Sequence, residues 1–471
     1  MNTYTPLKKT SILEVLKKNG RINLLEQCFA DQLDASARLV DHQENPARLS
    51  GLGLRHEDKA IPYQGLPYVM SNSTFLRIGG LLERVAVIVE RAIDLYLNDA
   101  SVRDFFKLQA RYEHLIRLGA AYRPRVQYCR YDFTIDDAGR PRIYELNTHS
   151  PAGSSFYERF AQVFRHNLVM EELQQLGLDP VVTPLEKQGA FAKAVIEAAS
   201  TANLNQPTHS AAILNSKYLT MNNELDLIKE QFIAEGKPAI RCYVEDLRFE
   251  EGTLYFEDKP IDICFNKFDD THGPDAYECA FSRTHAEVQA YLDAVGTGKV
   301  FAVNTFASMY LPENKSMLAF LWSPLLRPHI NAEEYELIRE VVPYTRLLRH
   351  LNPNELKHVI SNRRELVLKR SLDTRGRSVV IGRDVDDKEW EQAIHQAVEV
   401  QEEEDFVIQE LSAVETCMAT LPGMQEPGQY FTSLAYFMIH GKAQGILVRT
   451  SAEATTNVAR EGFVQPFLVV R

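Results

Sequence analysis

The chain has 471 residues, enough for roughly two to four domains and for a large core that needs no disulfide or metal support. Hydrophobic residues make up 45% and charged residues 25%, a balance that excludes a disordered chain. The formal net charge of -12 argues against a nucleic-acid partner, which needs a basic stripe, but it leaves room for a local basic pocket.

Six cysteines, Cys28, Cys129, Cys242, Cys264, Cys279 and Cys417, are scattered without a CxxC pair, the usage of a reducing cytoplasm. The first residues are basic but lack a continuous apolar stretch, so no signal peptide is expected. Ser11 and Glu14 instead have the S-x-x-E spacing of a helix start. No run approaches the ~20 apolar residues of a membrane span.

Residues 1–120 read as a mostly helical N-terminal region, with apolar recurrence at three and four over 80–97 and 102–118. Near Tyr128 the period changes to two. VQYCRYDFTI, then DDAG, then RPRIYELN predicts a hairpin, followed by a helix over 155–176, within a unit spanning 121–200. A polar linker at 200–210 opens an α/β unit over 201–300, in which SAAILN, a helix at 222–234, AIRCYV and a further hairpin predict a partly parallel sheet. Residues 301–471 hold helices at 315–326 and 332–349, the strands ELVLKRS and SVVIG, a helix at 388–400, DFVIQEL, and a strand-rich end. The acidic run 402–405 reads as a solvated connection, and no internal repeat is visible.

The hairpin carries the strongest chemical signal. Arg130 and Asp132 are spaced by two, as are Glu145 and Asn147, so each pair projects from one face. A four-residue turn at 136–139 would set Arg130 opposite Glu145, with Asp132 diagonal to it and all four on one face; an odd turn would separate the pairs. Tyr131, Phe133, Ile135, Tyr144 and Leu146 would then be the core side. Three oxygen-bearing side chains beside an arginine suit a hard divalent cation such as Mg²⁺. An exposed face with an Arg130–Glu145 ion pair satisfies the same pattern.

Other signals are individually weak. Lys369 ends an apolar strand ahead of a basic turn holding Gly376, where lysine and turn amides suit phosphate, although a plain basic hairpin reads the same way. Lys315 stands at a helix start in ENKSMLAFLW. Gln409, Glu410 and Leu411 end a strand whose backbone could meet an adenine, and Arg449 lies in the strand GILVRTS. Asp269, Asp270 and His272 form a polar turn after a strand.

Together the blocks RYDF…DDAGR…YELNTHSPAG, ENKSMLAFLW, VLKRS with Gly376, and DFVIQEL resemble the ATP-grasp ligases, in the circularly permuted form of glutathionylspermidine synthase-like proteins and related peptide ligases. The order carries the permutation, because the acids precede Lys315 and Lys369. The resemblance implies an α+β, α/β multidomain ATP-grasp fold, with 201–300 as an inserted pre-ATP-grasp-like unit and 301–471 as nucleotide lid and remaining core. It implies ATP and Mg²⁺ as cofactors, with Asp132, Glu145 and Asn147 as metal ligands and Arg130 at the transferring phosphoryl group. Lys315, Lys369, Gly376, Gln409, Glu410, Leu411 and Arg449 would bind nucleotide.

The reaction implied is cytoplasmic amide-bond formation between a small-molecule carboxylate and an amine through an acyl phosphate, with ADP and phosphate as products. An ATP-dependent phosphotransferase and a non-catalytic nucleotide-binding scaffold are the alternatives. Two departures from the family pattern stand out. His149 replaces an acid after the metal asparagine, where it reads more readily as a surface loop residue than as a substrate contact, and the phosphate turn has only one glycine.

Overall fold

A computed structural model describes residues 9–25, 55–56, 59–63, 66–120, 122–149, 151–153, 155, 159–160, 168–175, 177–182, 190–217, 224–267, 285–373, 378–401, 405–419, 428–454 and 462–471. Its centre is an antiparallel sheet in the order Phe463–Gln465, Lys442–Ser451, Gly428–Ile439, Tyr128–Ile135, Pro141–Asn147, with Glu415–Ala419 also pairing with Gly428–Ile439. Sequence-distant strands meet here: Asp132 lies opposite Ala435, and Arg449 opposite Ser433.

One face of that sheet is covered by the helix Asn72–Asn98. Its apolar stripe, including Ile78, Leu82, Val85, Val89 and Ile93, packs with Tyr131, Phe133, Leu434, Tyr436 and Met438. The helix begins earlier than the apolar period suggests because Ser71 caps it, accepting from the Thr74 amide. The expected helix over 102–118 is two helices, Ala100–Phe106 and Ala110–Arg117, since Lys107 takes a left-handed conformation at the end of the first.

Residues 210–303 build the predicted mixed sheet. Ser210–Asn215 is flanked in parallel by Ala239–Tyr243 and Lys259–Asn266, and Phe301–Val303 extends it in parallel. A four-stranded antiparallel sheet follows in the order Thr345–Leu347, Phe406–Glu410, Leu366–Arg370, Val379–Ile381. Its small core joins Leu368 and Ile408 to Trp390 and Ile394 of the helix Asp387–Glu399. The N-terminal region is less purely helical than its sequence suggests. Arg21–Asn23 and Tyr68–Ser71 belong to a sheet with Phe467–Val470 and Pro180–Val182. Among the described residues, no helix is long and apolar enough to cross a membrane.

Candidate active site

The hairpin reaches a one-faced arrangement by a route its spacing does not announce. The turn has five residues, 136–140, because Ile135 lies opposite Pro141. Asp136 organises it, its Oδ1 accepting from the Ala138 and Arg140 amides. An odd turn alone would send the polar pairs to opposite faces. A β-bulge between the Asp132 and Phe133 pairings leaves Tyr144 as an extra residue and restores the parity. Asp132 therefore lies directly opposite Glu145, and Arg130 opposite Asn147, in place of the expected Arg130–Glu145 pairing. Tyr144, expected on the core side, instead presents its ring to the Lys369 ammonium.

Asp132 is 1% exposed and holds two arginines. Arg130 donates from Nε to Oδ1 at 2.7 Å and from Nη2 to Oδ2 at 3.0 Å. Arg449 donates from Nη2 to Oδ2 at 2.8 Å. It reaches across the strand Gly428–Ile439, where the small side chains of Ser433 and Ala435 lie between. Burial pushes the Asp132 carboxyl up, but the charges and hydrogen bonds of both arginines outweigh it and hold it below the usual carboxylate range. Arg130 also donates to the Ala152 carbonyl at 2.9 Å, which ties the loop after the hairpin to the site.

Both lysines arrive from residues 315–370. Lys315 stands just before the helix Ser316–Leu321, and its Nζ lies 3.1 Å from Glu145 Oε1 and donates to the Asp373 carbonyl at 2.7 Å. Its amide donates to the Ser371 carbonyl, which fastens the helix start to the end of the Lys369 strand. Lys369 donates to Gln409 Oε1 at 2.6 Å and to the Tyr144 carbonyl at 3.1 Å. Gln409 is placed for this by register, since it lies opposite Val367, one residue-pair along the same face. Burial lowers the Lys369 ammonium to about 8, against the opposing pull of Glu145.

The remaining expected residues are less central. Glu410 is exposed and pairs with Arg142 at 3.1 Å. The Glu410 amide donates to the Tyr344 carbonyl, and the Leu411 amide to that of Glu365. Gly376, and the loop residues Asp269, Asp270 and His272, lie outside the described residues. His149 is buried, not a surface residue: its amide donates to Glu313 Oε2 at 2.8 Å and its ring faces Tyr310.

Three residues to which the sequence reading gave no functional role shape the site. Tyr144 is one. Glu313 accepts from the Thr148 and His149 amides, and burial raises its carboxyl to about 7 against those bonds and Lys315. Asn304 accepts from the Gln127 and Tyr128 amides and donates to the Tyr128 and Thr148 carbonyls, binding the start of the hairpin to its end. Only the ENK spacing could have drawn attention to Glu313.

Comparison with known proteins gives this geometry a context. The family profile Circularly permuted ATP-grasp type 2 matches residues 67–451. No curated protein matches the chain. A glutathione synthetase-like effector from Globodera pallida, solved in apo form, is similar at 11% identity with a TM-score of 0.60, over 93% of this chain and 98% of that one. At such identity the likeness speaks for the fold alone. A candidate gamma-glutamylcysteine synthetase from Methylobacillus flagellatus is similar at 11% identity and a TM-score of 0.40, over 82% and 87% of the two chains. That profile covers most of the chain, so the chain belongs to the circularly permuted ATP-grasp proteins of type 2.

Proposed function

We propose that the chain activates a small-molecule carboxylate with ATP as an acyl phosphate, passes the acyl group to an amine, and releases ADP and phosphate. One observation carries this reading. Arg130, Arg449, Lys315 and Lys369 converge from separate elements on the hairpin face that bears Asp132 and Glu145. Four cations against two carboxylates give a positive pocket in an acidic protein, suited to a polyanionic nucleotide.

A carboxylate oxygen attacks the γ-phosphorus while the bond to the ADP oxygen breaks. The amine then attacks the acyl carbon, loses its proton, and phosphate leaves with the C–O electron pair. The protein's contribution is positioning and charge neutralisation. In this reading Lys315 and Lys369 hold nucleotide phosphates, and Gln409 fixes Lys369. Arg130 and Arg449, both oriented by Asp132, face the charge that develops during transfer. Glu410 and Leu411 border the base. The sheet carrying Lys369 and Gln409, within 361–412, closes the site and keeps water from the acyl phosphate.

The donor set fits a divalent cation. Asp132 Oδ1 accepts one hydrogen bond and so keeps an acceptor position. Glu145 is partly exposed, and Asn147 has a buried amide nitrogen with no hydrogen-bond partner among the described residues, in a group whose oxygen and nitrogen ends interchange by rotation. Among the described residues no three His, Cys, Asp or Glu side chains cluster as a metal site. When bound through Asp132, Glu145 and Asn147, Mg²⁺ would neutralise charge on the β- and γ-phosphates.

Lys369→Ala is the cleaner test, because Asp132→Ala also strands two guanidinium groups and costs about 3 kcal/mol of stability. With carboxylate and amine pairs screened for ADP release, Lys369→Ala is expected to abolish turnover in a folded protein. Full activity in that variant overturns the assignment. Amine-dependent ADP release separates ligation from transfer to a hydroxyl, and AMP with pyrophosphate as products overturns the acyl-phosphate route.

A further inference from the structure

Lys369 is met twice by one residue. Its Nζ donates to the Tyr144 carbonyl at 3.1 Å and lies over the Tyr144 ring, 5.3 Å from the ring centre. Both contacts follow from local architecture. Pro141–Asn147 is an edge strand of the central sheet, so its outward carbonyls have no ladder partner. The bulge adds Tyr144 to that strand, and its ring stands against the Lys369 ammonium.

We propose that Tyr144 is a positioning residue for Lys369, holding the ammonium for phosphate by ring and carbonyl together. The inference rests on the reading of Lys369 as a phosphate ligand. A lysine ammonium has three donors. Gln409 takes one and the Tyr144 carbonyl takes a second, which leaves one for a nucleotide oxygen. A buried cation with two neutral partners still lacks compensation for its lost hydration. The face of an aromatic ring supplies it without consuming a donor. A carboxylate in the same place would pair with the ammonium and compete with phosphate. The ring stabilises the charge and leaves the third N–H available.

The test is calorimetric titration of the full chain with Mg-ATP, which needs no knowledge of the other substrates. Tyr144→Leu is expected to weaken binding roughly two- to thirtyfold, the range of a desolvated cation–ring contact. Tyr144→Phe, which keeps ring and carbonyl, is expected to restore affinity to within about twofold of wild type. In a Lys369→Ala background, Tyr144→Leu is expected to add no further loss, because its partner is gone. Thermal melts accompany each variant, and Tyr144→Met replaces the leucine variant if that protein does not fold. Wild-type affinity in Tyr144→Leu, or an additive loss in the double variant, overturns the proposal. A wild-type chain that binds no Mg-ATP overturns instead the nucleotide reading on which it stands.

Discussion

Lys369 shows how burial can set a working range. Its ammonium is held at about 8, well under the ordinary lysine value, because burial disfavours the charged form more strongly than Glu145 favours it. The depressed value means the cation is intact near neutrality and disappears as pH rises through 8. Mg-ATP affinity is therefore expected to fall by about tenfold between pH 7 and pH 9, and Lys369→Arg to flatten that dependence, since arginine stays charged. Titration calorimetry at the two pH values checks both. At this scale the sequence was informative where residue type and spacing coincide, as at Arg130, Asp132, Glu145 and Asn147, which do share one face. It placed Tyr144 wrongly on the core side and gave Glu313 no role. An aromatic residue in an alternating strand looks like core, and a glutamate before a helix looks like solvent-facing charge.

Among the elements, the hairpin was recognised while its register was not. Turn length and bulge are two departures of opposite effect. Their sum, which decides the face, equals that of the simpler four-residue turn, so period-two spacing cannot distinguish them. Asn304 is equally hidden, because its role lies in backbone groups of residues more than 150 positions away. Its side chain is buried and satisfies the Gln127 and Tyr128 amides as well as the Tyr128 and Thr148 carbonyls. Asn304→Ala would leave several buried backbone groups unpaired, at about 1–3 kcal/mol for each one that water does not reach. A loss of about 3 kcal/mol or more is expected in denaturant unfolding; a change under about 0.5 kcal/mol, as for an ordinary surface substitution, refutes that account.

For the whole molecule, net charge and site charge have opposite signs. The chain carries -12, yet the hairpin face gathers Arg130, Arg449, Lys315 and Lys369. Polyanions too large to enter the pocket meet the acidic exterior, so no shift of duplex DNA is expected in a gel assay at about 150 mM salt, where exposed charges are screened within about 8 Å. The layout of the central sheet also bears on how the protein is made. Tyr128–Ile135 is paired on one side by its own hairpin and on the other by Leu434–Ile439, about 300 residues downstream. Emerging from a ribosome, the early strand waits for most of the chain with one edge bare, a template for stray pairing with other chains. Closing so long a loop is also slow. The strand that bears Arg130 and Asp132 is thus the one whose second edge is completed only when residues 434–439 arrive.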